Sequence, residues 1–150
     1  MATWGDFAAA APDMAERGAE RLGIGYAFIA TTSGNGAPRV HPMTPLIAGG
    51  RLLAFVAVHT VKYRALLRDP RYALHAVLGE SDEEFFVTGR AAVSDDWASR
   101  LLAAAEARRI GMTSRDDVLF EFIIERAHWA VWEGLGTPDI SRRAKSWREG

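Results

Sequence analysis

Hydrophobic and polar positions change period several times along this chain. Tyr26-Ala-Phe-Ile-Ala-Thr-Thr32 is rich in aromatic and β-branched residues and predicts a strand. Ser33-Gly-Asn-Gly36 reads as the turn into a second extended run, Pro38 to Ala48. Prolines at 38, 42 and 45 remove ladder donors from that run, so it must sit at an edge, carry a bulge or bend. Gly49-Gly50 turns the chain into a third strand, Arg51 to Val58. The period then becomes helical: Thr60 caps a helix from Val61 to about Arg68, closed by Asp69-Pro70. Tyr72 to Leu78 and Glu84 to Ser94 read as strands joined by an acidic turn, Asp82 to Glu84, that looks solvated. Asp95 and Asp96 begin a helix to about Arg108, with Trp97, Leu101 and Ala105 on one apolar face.

The ends are read the same way. Residues 4–10 and 12–23 look like two short helices, with Pro12 at a first helical position and Gly23 and Gly25 after the end. Gly111 to Arg115 is a predicted loop. Leu119 to Glu133 is one long bent strand or two short ones. The tail from Gly134 is polar, with Trp147 as a candidate anchor. About six hairpin-linked strands without regular intervening helices point to a small antiparallel barrel, mainly β with peripheral helices. The 150 residues suit one domain, 1–150.

Composition narrows the function classes. No cysteine is present, which excludes disulfides, thiolate metal sites and a catalytic thiol. Histidines 41, 59, 75 and 128 are too scattered for a short metal-ligand spacing, so no metal site is expected. No apolar run is long enough for a membrane helix, and no basic lead precedes Asp6, so the expectation is a soluble cytoplasmic protein. The net charge of −1 argues against a nucleic-acid binder. Its distribution is uneven. Arg39, Arg51, Lys62, Arg64, Arg68 and Arg71 stand between residues 37 and 79 against a single acid, Asp69. Such a local excess fits a small anionic ligand, or else a solvated face paired with the acidic stretch.

The best candidate chemistry lies where strand meets helix: Leu53 to Val58, the loop His59-Thr60, then Val61-Lys62-Tyr63-Arg64. A helix start offers free N–H groups and partial positive charge. Thr60 adds a hydroxyl. Lys62 adds an ammonium where a cation normally opposes the dipole, which makes sense if a phosphate sits there. The plain alternative is an exposed lysine on a surface helix. If the Pro38 strand pairs as a hairpin with Leu53 to Val58, Arg39 reaches the same end, and His41 shares its face. Trp129 and Trp132 are candidates to cover a planar ligand, though such aromatics are more often core. No nucleophile relay stands out, so the catalytic residues are left open and a cofactor would carry the chemistry.

Four pieces in order then carry a resemblance: Gly36-Ala-Pro-Arg-Val-His-Pro-Met43, His59-Thr-Val-Lys-Tyr-Arg-Ala-Leu-Leu-Arg-Asp-Pro-Arg71, Asp82-Glu-Glu-Phe-Phe-Val-Thr-Gly-Arg-Ala91 and Trp132-Glu-Gly134. Over about Trp4 to Gly134 the chain resembles the pyridoxamine 5'-phosphate oxidase-like family of flavoproteins. The resemblance implies a Greek-key, FMN-binding split antiparallel β-barrel and a homodimer with FMN at the subunit interface. It implies that Arg39 and Lys62 hold the FMN phosphate, with Thr60 as hydroxyl donor beside His59. It further implies that Val40, His41, Pro42, Met43 and Thr44 run along the isoalloxazine ring, and that Trp132 approaches from the partner subunit. The implied activity is FMN-dependent hydride transfer with a small organic substrate. The alternatives are a deazaflavin reductase using the same groove, or a non-catalytic module for a flavin or planar anion. Related split barrels also bind haem, for which His41, His59 and His128 are the candidate ligands. After Trp132 no Arg-x-His occurs, so vitamin B6 chemistry is not expected.

Overall fold

A computed structural model describes residues 1–113 and 117–150. Helices α1 (Trp4–Ala10) and α2 (Pro12–Leu22) lead the chain. Thr3 caps α1 reciprocally: its Oγ1 accepts from the Asp6 N–H at 3.2 Å, and the Asp6 carboxylate accepts from the Thr3 N–H at 2.9 Å. Trp4 and Phe7 of α1 and Met14 and Leu22 of α2 enter the main core. Gly18 lets α2 sit against the sheet, since a Cβ there would lie 2.4 Å from the Phe85 ring.

Eight strands follow: β1 (Ala27–Thr32), β2 (Pro38–Met43), β3 (Leu46–Ala48), β4 (Arg51–Val56), β5 (Arg71–Ala76), β6 (Glu84–Val93), β7 (Val118–Glu133) and β8 (Ser141–Arg148). Helix α3 (Val61–Arg68) joins β4 to β5, and α4 (Trp97–Arg109) joins β6 to β7. The strands form one open sheet in the order β2-β1-β5-β6-β7-β4-β3, with β8 paired to β7. Every described pairing of named strands is antiparallel. The architecture is mainly β with peripheral helices, as the pattern predicts.

Two strands exceed the expected six, each for a physical reason. The Pro38 to Ala48 run bends at Thr44-Pro45. Before the bend Met43 pairs with Ala27 of β1; after it Leu46 pairs with Leu53 of β4. The tail forms β8, whose residues are exposed except half-buried Trp147, so it carries no apolar alternation to read. Trp147 anchors it, its ring 5.1 Å from that of Phe7.

β7 is one continuous strand of 16 residues. One edge pairs with β6; the other pairs with β4 near its start and β8 near its end. A bulge interrupts the β6 ladder between Thr88 and Gly89, leaving Glu125 without a partner there. Buried positions therefore run Phe120, Phe122, Ile124 and then shift to Ala127 and Trp129. Gly89 is obligatory at this point, because a Cβ would lie 1.9 Å from the Ile123 carbonyl oxygen.

Two expectations need correction. The Trp97, Leu101 and Ala105 face of α4 points outward, with Trp97 71% exposed. The small residues Ser99, Ala103 and Ala107 face inward instead, letting the helix approach Leu46, Leu53, Phe55 and Leu119. The Asp82 to Glu84 stretch is only partly solvated. Glu83 accepts from Trp129 Nε1 at 2.7 Å and lies 3.6 Å from an Arg17 nitrogen, while Glu84 pairs with Arg142. Of the predicted loop Gly111 to Arg115, Ser114 and Arg115 lie outside the described residues.

This burial pattern separates two aromatic truncations. Phe122→Ala is expected to cost about 3–5 kcal/mol in urea unfolding, while Trp97→Ala stays within about 0.5 kcal/mol. Comparable losses would place α4 the other way round.

Candidate functional site

The site grows from the start of α3. Thr60 leaves β4 in an extended conformation and caps the helix: its Oγ1 accepts from the Tyr63 N–H at 3.4 Å and donates to the Ala57 carbonyl at 2.7 Å. No acid stands in the first turn. Lys62 does, half-buried, with Nζ donating to the Pro42 carbonyl at 2.9 Å. That bond ties α3 to β2. Burial lowers the Lys62 pKa, opposed by the charge of Asp117.

β2 faces the helix with alternate residues. Arg39, His41 and Met43 stand opposite Thr31, Ile29 and Ala27, whose side is buried. The register corrects the expected route for Arg39: β2 pairs with β1, not with β4, and Arg39 reaches the α3 side through that pairing. His41 Nε2 is buried and has no hydrogen-bond partner among the described residues, and neither has Thr31 Oγ1 on the adjacent strand. Buried polar atoms are nearly always paired, so these two on one side of neighbouring strands are exceptions. Burial lowers the His41 pKa, and the charges of Lys62 and Arg39 lower it further. The imidazole is therefore held neutral.

Two clefts flank the first turn of α3. The first, 240 Å³, lies between Pro42, Met43, Phe55, Thr60, Lys62 and Asp117. The second, 200 Å³, lies between Ser33, Gly34, Arg39, Val61, Arg64 and Arg68. Thr60, Lys62, Pro42 and Met43 are thus brought together, with Arg39 across the helix turn and His41 near both cations. His59 is exposed and contributes its carbonyl to Arg64 Nη1 at 3.4 Å. Val40 is 66% exposed and belongs to the opposite face of β2. Trp132 is not gathered in: it sits on β7, four places from β2 in the sheet, its ring 5.9 Å from the Arg142 guanidinium. Trp129 is core. Arg64 and Arg68, counted in the cationic run of the sequence but given no separate role there, line the second cleft from α3.

Neither a protein-family model nor a curated protein matches the chain. Solved structures do. A NimC/NimA family protein from Clostridium acetobutylicum superposes with a TM-score of 0.65 at 19% identity, covering 88% of this chain and 91% of that one. A pyridoxamine 5'-phosphate oxidase-related, FMN binding protein from Nostoc punctiforme gives 0.55 at 13% identity, covering 91% and 95%. The fold is that of the split β-barrels. A heme binding protein from Mycobacterium smegmatis shares it as well, at 0.61 and 22% identity; this chain is 87% covered but spans only 57% of that longer one. At these identities the likeness is one of fold. Solved structures of this shape thus include both an FMN binding and a heme binding protein.

The depressed His41 pKa has a testable sign. The unfolded state takes up this proton more readily than the folded one. His41 therefore supports the fold fully above its ordinary pKa of 6.5 and loses that support as pH falls below it. The imidazole resonance is expected to titrate below 6.5. Wild type should lose more stability than His41→Gln between about pH 7.5 and about pH 5.5. A midpoint at or above the ordinary value would contradict the geometry.

Proposed function

We propose that this split barrel binds FMN and acts as a flavin-dependent oxidoreductase toward a small organic substrate. The observation that carries the reading is the group at the start of α3. Lys62 stands in the first turn of a helix capped by Thr60 and reaches the Pro42 carbonyl of β2, and Lys62 and Arg39 both act on the His41 ring of that strand. The residues fit the cofactor. Two cations and helix N–H groups suit a phosphate. Tyr26, Met43, Phe55 and Met112 give the first cleft an apolar wall for a planar ring. When bound, the flavin supplies the site that accepts and releases a hydride. The chain's own part is to hold the phosphate, orient the ring and keep His41 uncharged beside it.

Two of the three candidate haem ligands are poorly placed, while His41, near Lys62 and Arg39, does not by itself distinguish the guests. His128 has both nitrogens engaged, Nδ1 with Ser146 Oγ at 2.9 Å and Nε2 with Arg142 Nη2 at 3.2 Å. His59 stands exposed in a loop.

The reading includes a homodimer with the cofactor between copies. Its support is the outward face of the sheet, where Phe28, His75, Phe86 and His128 lie in register across four strands, and the rings of His75, Phe86 and His128 stack. Phe28 is 43% exposed, an apolar surface that a second copy would cover. Trp132, remote from Lys62 within one chain, would then meet the flavin of the other.

FMN titration followed by flavin fluorescence tests the assignment, with deazaflavin as a second arm. Lys62→Ala is expected to weaken FMN binding about 10- to 100-fold, the loss of one charged hydrogen bond. Unchanged affinity, or indifference to both cofactors, would reject the reading. Reduction of bound flavin by a nicotinamide nucleotide and its reoxidation by substrate would separate an enzyme from a binding module. Sedimentation at micromolar concentration is expected to give a dimer.

A further inference from the structure

The outward face of the sheet holds a cleft of about 490 Å³, larger than either cleft beside α3 and given no part in holding the flavin. Three strands line it in register. Thr88 of β6 stands opposite Arg126 of β7, and Arg126 stands opposite Arg148 of β8. Two places along the same face, Phe86 stands opposite His128, and His128 opposite Ser146. Like charges directly opposite on a ladder repel. Neither Arg126 nor Arg148 forms an ion pair among the described residues. The acids next to them in the chain are committed elsewhere: Glu125 to Arg90 Nε at 3.1 Å, and Glu149 to the Met1 amino group. Glu84, further along the same face, pairs with Arg142.

The second row supplies an aromatic wall. The rings of His75, Phe86 and His128 stack across three strands, with centroids 5.8 and 5.0 Å apart. The column ends at His128, because β8 places the small Ser146 at the next position. Both nitrogens of His128 are engaged, Nδ1 with Ser146 Oγ and Nε2 with Arg142 Nη2, so the ring gives the cleft aromatic surface rather than another donor. An aromatic column and two unneutralised guanidinium groups thus stand two residues apart along the same strands. Two residues of strand span about 7 Å, the scale of a fused aromatic ring that carries an acid group. Guanidinium forks match the planar carboxylate in particular.

We propose that this cleft is a second ligand site, for a planar aromatic carboxylate: Arg126 and Arg148 take the carboxylate, and Phe86 and His128 take the ring. The site is complete on one chain and does not rest on the flavin reading. It bears on the dimer proposed above, since a second copy covering this face would bury two guanidinium groups without a counter-charge unless an anion came with them.

Titration with β-naphthoate and with its neutral counterpart β-naphthylmethanol, followed by calorimetry at fixed ionic strength, tests the site without any flavin. Wild type is expected to bind the acid at least about tenfold more tightly than the alcohol. The double variant Arg126→Gln, Arg148→Gln should bind the two alike; thermal unfolding checks that it is folded. Lys62→Ala, which alters the start of α3 alone, should keep the wild-type preference. No binding or equal affinities in wild type, a preference that survives in the double variant, or one that is lost in Lys62→Ala overturns the proposal. An arginine-dependent naphthoate preference in a protein that binds no FMN would uphold this site and reject the flavin reading alone.

Discussion

The bend at Thr44-Pro45 is the constraint on which the rest of this structure depends. Pro45 has no N–H to give a ladder, so the extended run cannot continue along one partner. It divides, and the chain serves two edges of the sheet: Met43 finishes β2 on β1, and Leu46 opens β3 on β4. Because β3 and β4 form a hairpin, the end of β4 returns beside the end of β2. Helix α3 therefore starts next to Pro42, where Lys62 reaches its carbonyl.

From that geometry the electrostatics follow. Lys62, Arg39, Arg64 and Arg68 are delivered by two elements to the two sides of one helix turn. Asp69, the one acid between residues 37 and 79, is turned toward Arg71 and Thr32. The result is a positive corner in a chain of net charge −1. His41 records the same field, losing affinity for its proton through burial and through two neighbouring cations.

Much of this was legible in the residues because the relevant signals are local. The cap at Thr60, the odd placement of Lys62 and the prolines of β2 each state their own reason. The route of Arg39 was not legible, because pairing partners are a long-range choice: two hairpin readings of Pro38 to Ala48 use the same turns, and only the bend distinguishes them. The outward face of α4 misled for a related reason. Trp97 and Leu101 have the right period for a core stripe, but the seat on β3 and β4 needs the small face of Ser99, Ala103 and Ala107. β8 escaped notice because a strand laid along an edge with six exposed positions in succession has no alternation to find. The orphan at His41 is invisible in a sequence, since it is a property of what does not come near.

The central claim is that this corner grips a flavin by its phosphate. The most direct measurement is the ratio of affinities for FMN and riboflavin, which share the ring and differ in that group alone. Two charge-assisted contacts predict that FMN binds at least about 100-fold more tightly. Equal affinities would mean that the cations at the start of α3 do not hold the ligand.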